Sequence, residues 1–449
     1  MADRPTVLVI SQVYVPDPAS VGQHMHDAAA ELARRGHRVV VYCSRAGYDD
    51  PSKKYPWKET RDGVTIRRLP LSSFGKSSIL IRLLAQSLFM WQATTLGQFC
   101  AAFKGGPKKN GLKAILVSTS PPMASIGAWW ISILRRAPVT FWAMDLNPDQ
   151  MIAMGKITER SLPARLFNFL NRRILKRSRG VVALDRFMAE RLNRKVPASV
   201  NLDAKMSIQP PWPHEGHVEV VAHADNPFRK AHGLDGKFVV MYSGNHAPSN
   251  PLKTLLEAAA RLKDDPRFVF MFIGGGLLKK DVEAAIAAGA TNIRSLPYQP
   301  MSELKFSLSA ADVHVVSIGN DVVGIVHPCK VYGAMAVARP ILFFGPKPSH
   351  VSDLIDNFDI GWSVEHGDVD GAERALKGLA DLAEREPEAL TAMGARAKQG
   401  VETTYSKAAL MALFCDVVEG RRLGPAASVV VEGDKRGSTP ASAAAAATP

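Results

Sequence analysis

The sequence has few cysteines and no metal-binding motif. Its four cysteines, at positions 43, 100, 329 and 415, are far apart, form no CxxC pair and have no histidine cluster nearby. This spacing excludes a zinc-finger site and a disulfide framework as sequence-level predictions, and a reducing cytoplasm fits best.

An export signal and a membrane-spanning segment are also missing from the sequence. Residues 1–4 lead directly into the apolar run 7–10, without the long apolar stretch and small-residue cleavage site of a signal peptide, so we expect a protein that is not exported. The apolar segment 115–134 is interrupted by Pro121 and Pro122, which favours a strand, a turn and a helix over one spanning helix.

Acidic residues are scarce in the first half of the chain. Of the 56 Lys+Arg and 42 Asp+Glu, residues 1–205 hold 32 and 14, which gives this half a charge of +18 and leaves −4 for the remainder. Acidic lipid headgroups, phosphorylated lipid carriers and nucleic acid are candidate partners, and an ordinary solvated surface is the alternative. No basic motif interleaved with aromatic residues and no helix-turn-helix pattern is present, so no nucleic-acid partner is expected.

Two series of short, continuously apolar strands alternate with helical patterns. The first begins at 7–10 and 39–42, and the second at 238–242 and 268–273. Such runs are typical of parallel strands buried on both faces, so we predict an α/β fold with two Rossmann-like doubly wound domains. The predicted ranges are a first domain at 1–208, a Pro- and His-rich linker at 209–229, a second domain at 230–424 and a disordered tail at 425–449.

The segment 79–103 combines an apolar face with polar interruptions and is followed by Lys104, Lys108 and Lys109. This pattern is typical of a helix lying in a membrane interface, and equally of an amphipathic helix packed on its own domain.

The loops after strands are the places to search for a site, because open parallel sheets bind ligands at the carboxyl ends of their strands. Gly22 and Gln23 follow the first strand, where a helix start would favour a phosphate. In the second series, Gly244 and Asn245 follow one strand and the run 274–276 is all glycine. Neither loop matches GxGxxG, so a dinucleotide cofactor is disfavoured, and both could be simple turns.

Lys330 and Asp145 are the two side chains singled out for chemistry. Pro328 is placed to start a helix with Lys330 in its first turn, where the helix dipole prefers an anion, so a phosphate partner is predicted and a solvent-pointing lysine is the alternative. Asp145 follows the apolar strand 139–143, and could act as a general base or cap the next helix.

The order and spacing of several motifs resemble family 4 glycosyltransferases of the GT-B fold, in the branch that assembles O-antigen, colanic-acid-like and other exopolysaccharides. The resemblance covers about residues 5–420. Its motifs are PDPASVGQ with ELARRGHRVVVY, STSPP, MDLNPD, RRILKRSRGVVALDRFMAERL, FVVMYSGN, FMFIGGG, NIRSLPYQP with SELKFSLSAADVHVVS, and HPCKVYGAMAVARPIL.

The resemblance implies a retaining, metal-independent enzyme without a cofactor, in which a cleft separates a donor-binding second domain from an acceptor-binding first domain. The donor would be a nucleotide sugar, and the acceptor a lipid-linked glycan at the cytoplasmic face of the inner membrane. By position, Gly22, Gln23 and Asp145 would lie on the acceptor side. The donor would be held by Gly244, Asn245, Gly274, Gly276, Tyr298, Gln299, Lys330 and Gly333.

Four side chains depart from the family pattern. The usual pair of glutamates falls on Ile325 and Gly333, and the usual Arg and Lys of the diphosphate clamp fall on Asn245 and Asn250. Stabilisation of the leaving group would then come from Lys330, helix N-termini and Lys253. These departures also motivate an alternative, a catalytically silent sugar or nucleotide binder that acts as a scaffold in polysaccharide assembly.

Overall fold

The computed structural model describes residues 4–17, 19–47, 50–72, 79–99, 112–121, 124–213 and 219–429. The first half forms one α/β unit. In chain order its elements are β1 (Thr6–Ile10), α1 (Ser20–Arg34), β2 (Arg38–Ser44), β3 (Lys58–Arg61), β4 (Val64–Leu69), α2 (Ile79–Phe99), β5 (Leu112–Ser118), α3 (Ala124–Arg135), β6 (Val139–Trp142), α4 (Asp149–Ala153), α5 (Leu162–Arg177), β7 (Gly180–Ala183), α6 (Arg186–Arg194) and β8 (Met206–Ile208).

The first sheet has eight strands in the order β3-β4-β2-β1-β5-β6-β7-β8. All neighbouring pairs are parallel except the edge pair β3 and β4, which is antiparallel. The central strands are buried along their whole length, as expected for continuous apolar runs covered by helices on both faces. The strand order reverses between β1 and β5, which makes the loops after these strands a switch point.

The second half forms a similar unit. Its elements are α7 (Pro227–Ala231), β9 (Phe238–Ser243), α8 (Lys253–Arg261), β10 (Phe268–Ile273), α9 (Lys279–Ala287), β11 (Ile293–Leu296), α10 (Leu304–Ser309), β12 (Val313–Ser317), α11 (Lys330–Ala336), β13 (Ile341–Phe344), α12 (His350–Phe358), β14 (Gly361–Val364), α13 (Val369–Arg385), α14 (Pro387–Thr403) and α15 (Lys407–Glu419).

The second sheet is entirely parallel, with six strands in the order β11-β10-β9-β12-β13-β14. Its order reverses between β9 and β12, so the loops that follow these two strands meet at the switch point. The predicted fold of two Rossmann-like domains is confirmed.

The chain crosses between the domains more than once. Within the predicted linker, Trp212 is buried in the first domain, whereas Phe228 and Arg229 are buried in the second, where Arg229 pairs with Asp312 at 3.2 Å. Helix α15 returns to the first domain and packs against α1 and β5. Sequence periodicity could not reveal this return, because an apolar helix face does not specify its partner.

The predicted start of the disordered tail at 425 is too early. Ala427 is buried, the Ser428 hydroxyl accepts a hydrogen bond from the backbone N–H of Ile208 at 2.9 Å, and the N–H of Val429 donates to the carbonyl of Ile208. Residues 425–429 are therefore held against β8, the edge strand of the first sheet. The rest of the predicted tail, 430–449, lies outside the described residues.

The two long apolar segments fold as part of the first domain. In the segment 115–134, residues 115–118 belong to β5 and residues 124–134 to α3, which confirms the predicted strand and helix. Helix α2 packs on α3, where Met90 and Thr94 lie against Gly127, while Trp91 on its other side is 65% exposed. None of the helices among the described residues is long and apolar enough to span a bilayer. Lys104, Lys108 and Lys109 lie outside the described residues.

Candidate active site

A cavity of about 540 Å³ lies between the two domains, at the carboxyl ends of both sheets. This volume is within the range that holds a small-molecule substrate. The first domain contributes Ser20, His24, Asp145 and Gln150, and the second contributes the loops after β9 and β12 and Tyr298 from the loop after β11. The cavity thus lies at the topological switch point where an open α/β sheet binds its ligands.

Lys330 is the only Lys or Arg among the described residues that line this cavity. It is the first residue of α11, and its ammonium group donates a hydrogen bond to the Tyr242 hydroxyl at 2.5 Å and lies 3.8 Å from the centre of the Tyr242 ring. Burial lowers the pKa of Lys330 to about 7. The alternative of a solvent-pointing lysine is therefore wrong.

Gly244 and Asn245 lie at the end of β9 and line the cavity beside Lys330. A side chain at Gly244 would meet the Lys330 side chain, since an added Cβ would be 3.5 Å from its Cε. The backbone at Gly244 has φ of +135°, a conformation that glycine adopts far more readily than other residues. The backbone of Gly244, with no side chain to cover it, therefore lies next to Lys330, the one lysine or arginine in the described cavity lining.

Gly274 and Gly276 pack the neighbouring loop, after β10, against the loop after β9. A Cβ at Gly274 would be 2.1 Å from the carbonyl oxygen of Gly244, and one at Gly276 would be 2.5 Å from the side-chain oxygen of Asn245. Neither glycine is among the cavity-lining residues. Because they contact Gly244 and Asn245, which do line the cavity, these glycines support the loop after β9 without reaching the cavity themselves.

Tyr298 lines the cavity next to this glycine loop and is 61% exposed. Its ring carbons would contact a Cβ at Gly274 or Gly275 at 3.3–3.4 Å, so the ring lies over the loop backbone. Gln299 folds back and donates to the carbonyl of Pro297 at 2.9 Å, and it is not among the lining residues.

Asp145 lies at the first-domain side of the cavity, after β6. Its side chain is accessible to solvent in the cleft. Desolvation by the surrounding protein raises the pKa of Asp145 to about 6, and the charge of His327 opposes this effect to a smaller extent. Helix α4 has Pro148 at its N-cap and no side-chain cap hydrogen bond. The helix-cap alternative for Asp145 is therefore wrong, and the general-base role stays a prediction.

The predicted acceptor-side residues Gly22 and Gln23 are not among the residues that line the cavity. Helix α1 begins at Ser20, and Gly22 is buried in its first turn, where an added Cβ would be 3.0 Å from the Cα of Tyr14. Ser20 and His24 are the residues described in α1 that line the cavity. Helical spacing explains the correction, because residues i and i+4 share a face of the helix, whereas Gly22 faces Tyr14 in the loop after β1.

Two further positions do not reach the cavity. Gly333 is buried within α11, one turn beyond Lys330. Lys253 is 86% exposed at its side chain and lines a separate cavity of about 700 Å³. Among the described residues, Lys330 lines the cavity between the domains and Lys253 does not, so the prediction that Lys253 helps to hold a diphosphate has no support from its position.

Buried hydrogen-bonded groups that sequence reasoning missed adjoin Lys330. His327 lies between Asp185, at 2.8 Å from Nδ1, and the Tyr332 hydroxyl, at 3.0 Å from Nε2, and that hydroxyl is also 2.8 Å from Nε2 of His350. Asp185 is the N-cap of α6 in the first domain. The dipeptide His327-Pro328 was visible in the sequence, but its partner, 142 residues earlier, was not.

Two family descriptions match consecutive parts of the chain. "Glycosyl transferase 4-like domain" matches residues 20–203, and "Glycosyl transferases group 1" matches residues 225–400. The chain is a family 4 glycosyltransferase of the GT-B fold. The two matched segments correspond to the two sheets that enclose the cavity.

The curated relatives match over most of their length. The chain is 25% identical to the probable glycosyltransferase WbjE of Pseudomonas aeruginosa over 405 residues, which cover 89% of this chain and 94% of the relative. It is 24% identical to the putative colanic acid biosynthesis glycosyl transferase WcaI of Escherichia coli K12, over 78% of this chain and 86% of the relative.

Solved structures share the fold at low identity. Anabaena HepE in complex with UDP and glucose superposes with a TM-score of 0.66 at 12% identity and covers 93% of this chain and 100% of its own. WaaG, described as a glycosyltransferase involved in lipopolysaccharide biosynthesis, gives 0.66 at 13% identity, with 92% and 100% covered.

Proposed function

We propose that the enzyme transfers a sugar, with retention, from a nucleoside diphosphate sugar to a lipid-linked glycan in bacterial envelope polysaccharide biosynthesis. The carrying observation is the half-buried Lys330 beside the bare backbone of Gly244 at the switch point of the second sheet. A cation there matches a diphosphate in charge. The HepE complexes with UDP and the colanic acid role named for WcaI support this donor and pathway class.

The donor would extend along the carboxyl edge of the second sheet. Its diphosphate would lie against Lys330, Gly244 and Asn245, and its base would lie near Tyr298, whose exposed ring offers a stacking surface. Gln299 could reach the base by leaving its bond to Pro297. The sugar would then point towards Asp145 across the cleft.

The reaction breaks the bond between the anomeric carbon and the diphosphate oxygen through an oxocarbenium-like state. Retention then requires the acceptor oxygen to form its bond to that carbon on the face from which the diphosphate departs. Lys330 and backbone N–H groups would stabilise the departing diphosphate. Asp145 would receive the acceptor's hydroxyl proton, and a pKa of about 6 lets it do so near neutral pH. Neither a metal nor a cofactor takes part in this proposal.

A lipid-linked acceptor requires contact with a membrane, and three neighbouring helices offer a suitable surface. Helix α3 packs against both α2 and α5. The exposed apolar side chains of this surface, called the α2–α3–α5 face, are Leu84 and Trp91 on α2, Trp130, Ile133 and Leu134 on α3, and Leu162, Leu166 and Phe169 on α5. A patch this extensive on a water-exposed surface is typical of interaction sites.

Basic residues accompany the apolar ones on the same helices. Arg136 follows α3, and Arg165, Arg172 and Arg173 are exposed on α5. Aromatic and aliphatic side chains with arginines at their edge suit the interface of an anionic bilayer, such as the inner face of the cytoplasmic membrane. Asn171 of α5 also donates to the carbonyl of Asn147, two residues after Asp145, so this face adjoins the proposed acceptor site.

Sedimentation with liposomes tests the membrane partner. We expect salt-sensitive binding to vesicles that contain phosphatidylglycerol, and a loss of at least fivefold for Trp91→Ser with Trp130→Ser. Trp57→Ser is the matched control, because Trp57 is 53% exposed but lies beside β3, outside this face. Equal recovery with neutral vesicles would contradict the electrostatic part of the proposal.

Donor turnover separates the enzyme from the scaffold alternative. UDP and GDP should each be screened by thermal shift, since a ligand at a hundred times its dissociation constant stabilises the fold by about 2.7 kcal/mol. The corresponding nucleotide sugars should then be incubated with membrane extract and the released nucleoside diphosphate measured. Binding without release under all conditions would favour the scaffold.

A further inference from the structure

The segment 323–328, which links β12 to Lys330, belongs to the second domain but is held by the first. The carbonyl of Val323 accepts from Arg191 at 2.7 Å, and the carbonyl of Ile325 accepts from the N–H of Leu146 at 3.0 Å. Between them, Gly324 has φ of +69°, and a Cβ there would be 2.6 Å from the backbone of Phe187. The two backbones are therefore in direct contact across the cleft.

His327 completes this contact with a buried side chain. Its side chain is 1% exposed and that of Asp185 is 3% exposed, so the bond between them is shielded from water. Hydrogen bonds to ionised groups are stronger than neutral ones, and those removed from water are stronger still. Val323 and Ile325 are held through their backbone carbonyls, whereas His327 is held by Asp185 through its own side chain, so a substitution at His327 removes this bond.

Protons can be placed so that every group in this chain has a hydrogen-bond partner. Burial lowers the pKa of His350 to about 3, so its ring is neutral, while the bond to His327 keeps the pKa of Asp185 low despite burial. His350 then donates from Nε2 to the Tyr332 oxygen, Tyr332 donates to Nε2 of His327, and His327 donates from Nδ1 to Asp185. The chain ends on the carboxylate that also caps α6 through the N–H of Met188.

These contacts connect the two sides of the proposed reaction. Leu146, which binds Ile325, directly follows Asp145, and His327 is three residues before Lys330. The position of Asp145 relative to Lys330 is therefore fixed through a short path of backbone and one buried side chain. Small errors in such alignment are costly, because reacting atoms must be held within a few tenths of an ångström.

We infer that His327 is a positioning residue, whose bond to Asp185 holds the two domains in the arrangement that aligns acceptor-side Asp145 with donor-side Lys330. This inference rests on the proposed function for the identity of the aligned groups. The interdomain contact itself is independent of the donor and acceptor.

Two substitutions at His327 separate this role from simple packing. His327→Leu replaces the imidazole by an apolar side chain of similar bulk, which cannot donate to Asp185. His327→Asn retains a hydrogen-bond donor to Asp185, because asparagine Nδ2 and histidine Nδ1 are both bonded to Cγ and lie at the same distance from the backbone. His314→Leu is the matched control, because His314 is a buried histidine of the second domain whose Nε2 is 3.0 Å from the carbonyl of Leu308, within that domain.

The variants should be compared by small-angle scattering and by release of UDP from UDP-glucose in the presence of membrane extract. We expect His327→Leu to increase the radius of gyration and to lower kcat at least tenfold, with KM for the donor changed less than threefold. His327→Asn should recover most of both properties, and His314→Leu should resemble wild type in both, whatever its melting temperature.

Wild-type scattering and kcat in His327→Leu, or the same losses in His314→Leu, would overturn the inference. A wild-type enzyme that releases no UDP would count against this donor and the proposed function, whereas the scattering comparison would still test the contact between His327 and Asp185.

Discussion

At the scale of single residues, Lys330 is a cation in surroundings that disfavour its charge. Burial lowers its pKa to about 7, and its hydrogen-bond partner Tyr242 stays neutral because burial raises the pKa of that phenol. A bound diphosphate would reverse this effect by favouring the charged ammonium group. Lys330 is therefore suited to respond to an anion in the cavity.

Replacing this lysine tests its role directly. Lys330→Ala should lower donor turnover at least tenfold, because the one cationic side chain in the described cavity lining is lost, while the melting temperature should change little. Lys253→Ala serves as the control, since Lys253 is exposed and lines a different cavity. Unchanged kinetics in Lys330→Ala would remove this residue from the site.

The pH profile should report both ionisable groups of the cleft. Asp145, with a pKa of about 6, is a carboxylate above that pH, so kcat/KM should rise as pH increases through 6. Lys330, with a pKa of about 7, loses its proton above that pH, so kcat/KM should fall as pH increases through 7. The expected profile is a narrow bell with its maximum between these values.

The variant Asp145→Asn tests whether Asp145 causes the rise of kcat/KM near pH 6. Loss of a general base should lower the rate by about 10² to 10⁴ and abolish the limb near pH 6, with the fold preserved. Full activity with an unchanged profile in Asp145→Asn would rule out the catalytic role.

At the scale of elements, the strands were predictable and the start of α1 was not. Strands such as β1 and β10 are almost entirely apolar runs, which identifies them without knowledge of their neighbours. Helix α1 begins at Ser20 with Ala19 at its N-cap and no side-chain cap bond, so the usual start signal is missing. For this reason Gly22 was predicted in a loop, although it lies in a helix.

A substitution in the loop after β10 tests whether its glycines are required. Gly274→Ala should lower the free energy of unfolding by about 1–3 kcal/mol, because the residue has φ of +128° and its Cβ would overlap the carbonyl of Gly244. Affinity for the nucleotide should fall with it. Gly378→Ala, in the middle of α13 with open space around its Cβ, should instead stabilise by about 0.5–1 kcal/mol.

Chemical denaturation of both glycine variants, with nucleotide affinity measured by calorimetry, is the comparison required. A Gly274→Ala protein as stable as wild type would show that the loop after β10 adjusts freely, and would weaken its assignment to the donor site.

At the scale of the whole molecule, the sequence predicts two sheets, one in each half of the chain, but not which residues meet between them. Asp185 and His327, or Arg35 and Glu419, are each recognisable as ordinary polar residues of a helix or a loop. Their pairing depends on tertiary packing across 142 and 384 positions, at 2.8 and 2.9 Å. The cleft could therefore be predicted as a location, whereas its buried hydrogen-bond network could not.

Helix α15 shows what such long-range packing does for stability, and it provides the last prediction. Phe414 is 1% exposed and lies 4.3 Å from the ring of Trp142 in β6 and 5.7 Å from that of Trp212, so a residue near the end of the chain completes the core of the first domain. Phe414→Ala should lower the free energy of unfolding by about 3–5 kcal/mol through the cavity that it leaves.

Hydrogen exchange can locate this loss within the molecule, because protection reports the local free energy of opening. In Phe414→Ala the amides of β6 and β7 should lose protection, while those of β9 and β10 keep it. Phe270→Ala, which removes an equally buried ring from the second core, should give the opposite pattern. If Phe414→Ala instead deprotected β9 and β10 to the same extent, the two domains would unfold as one cooperative unit, and α15 would stabilise the whole molecule rather than the first domain.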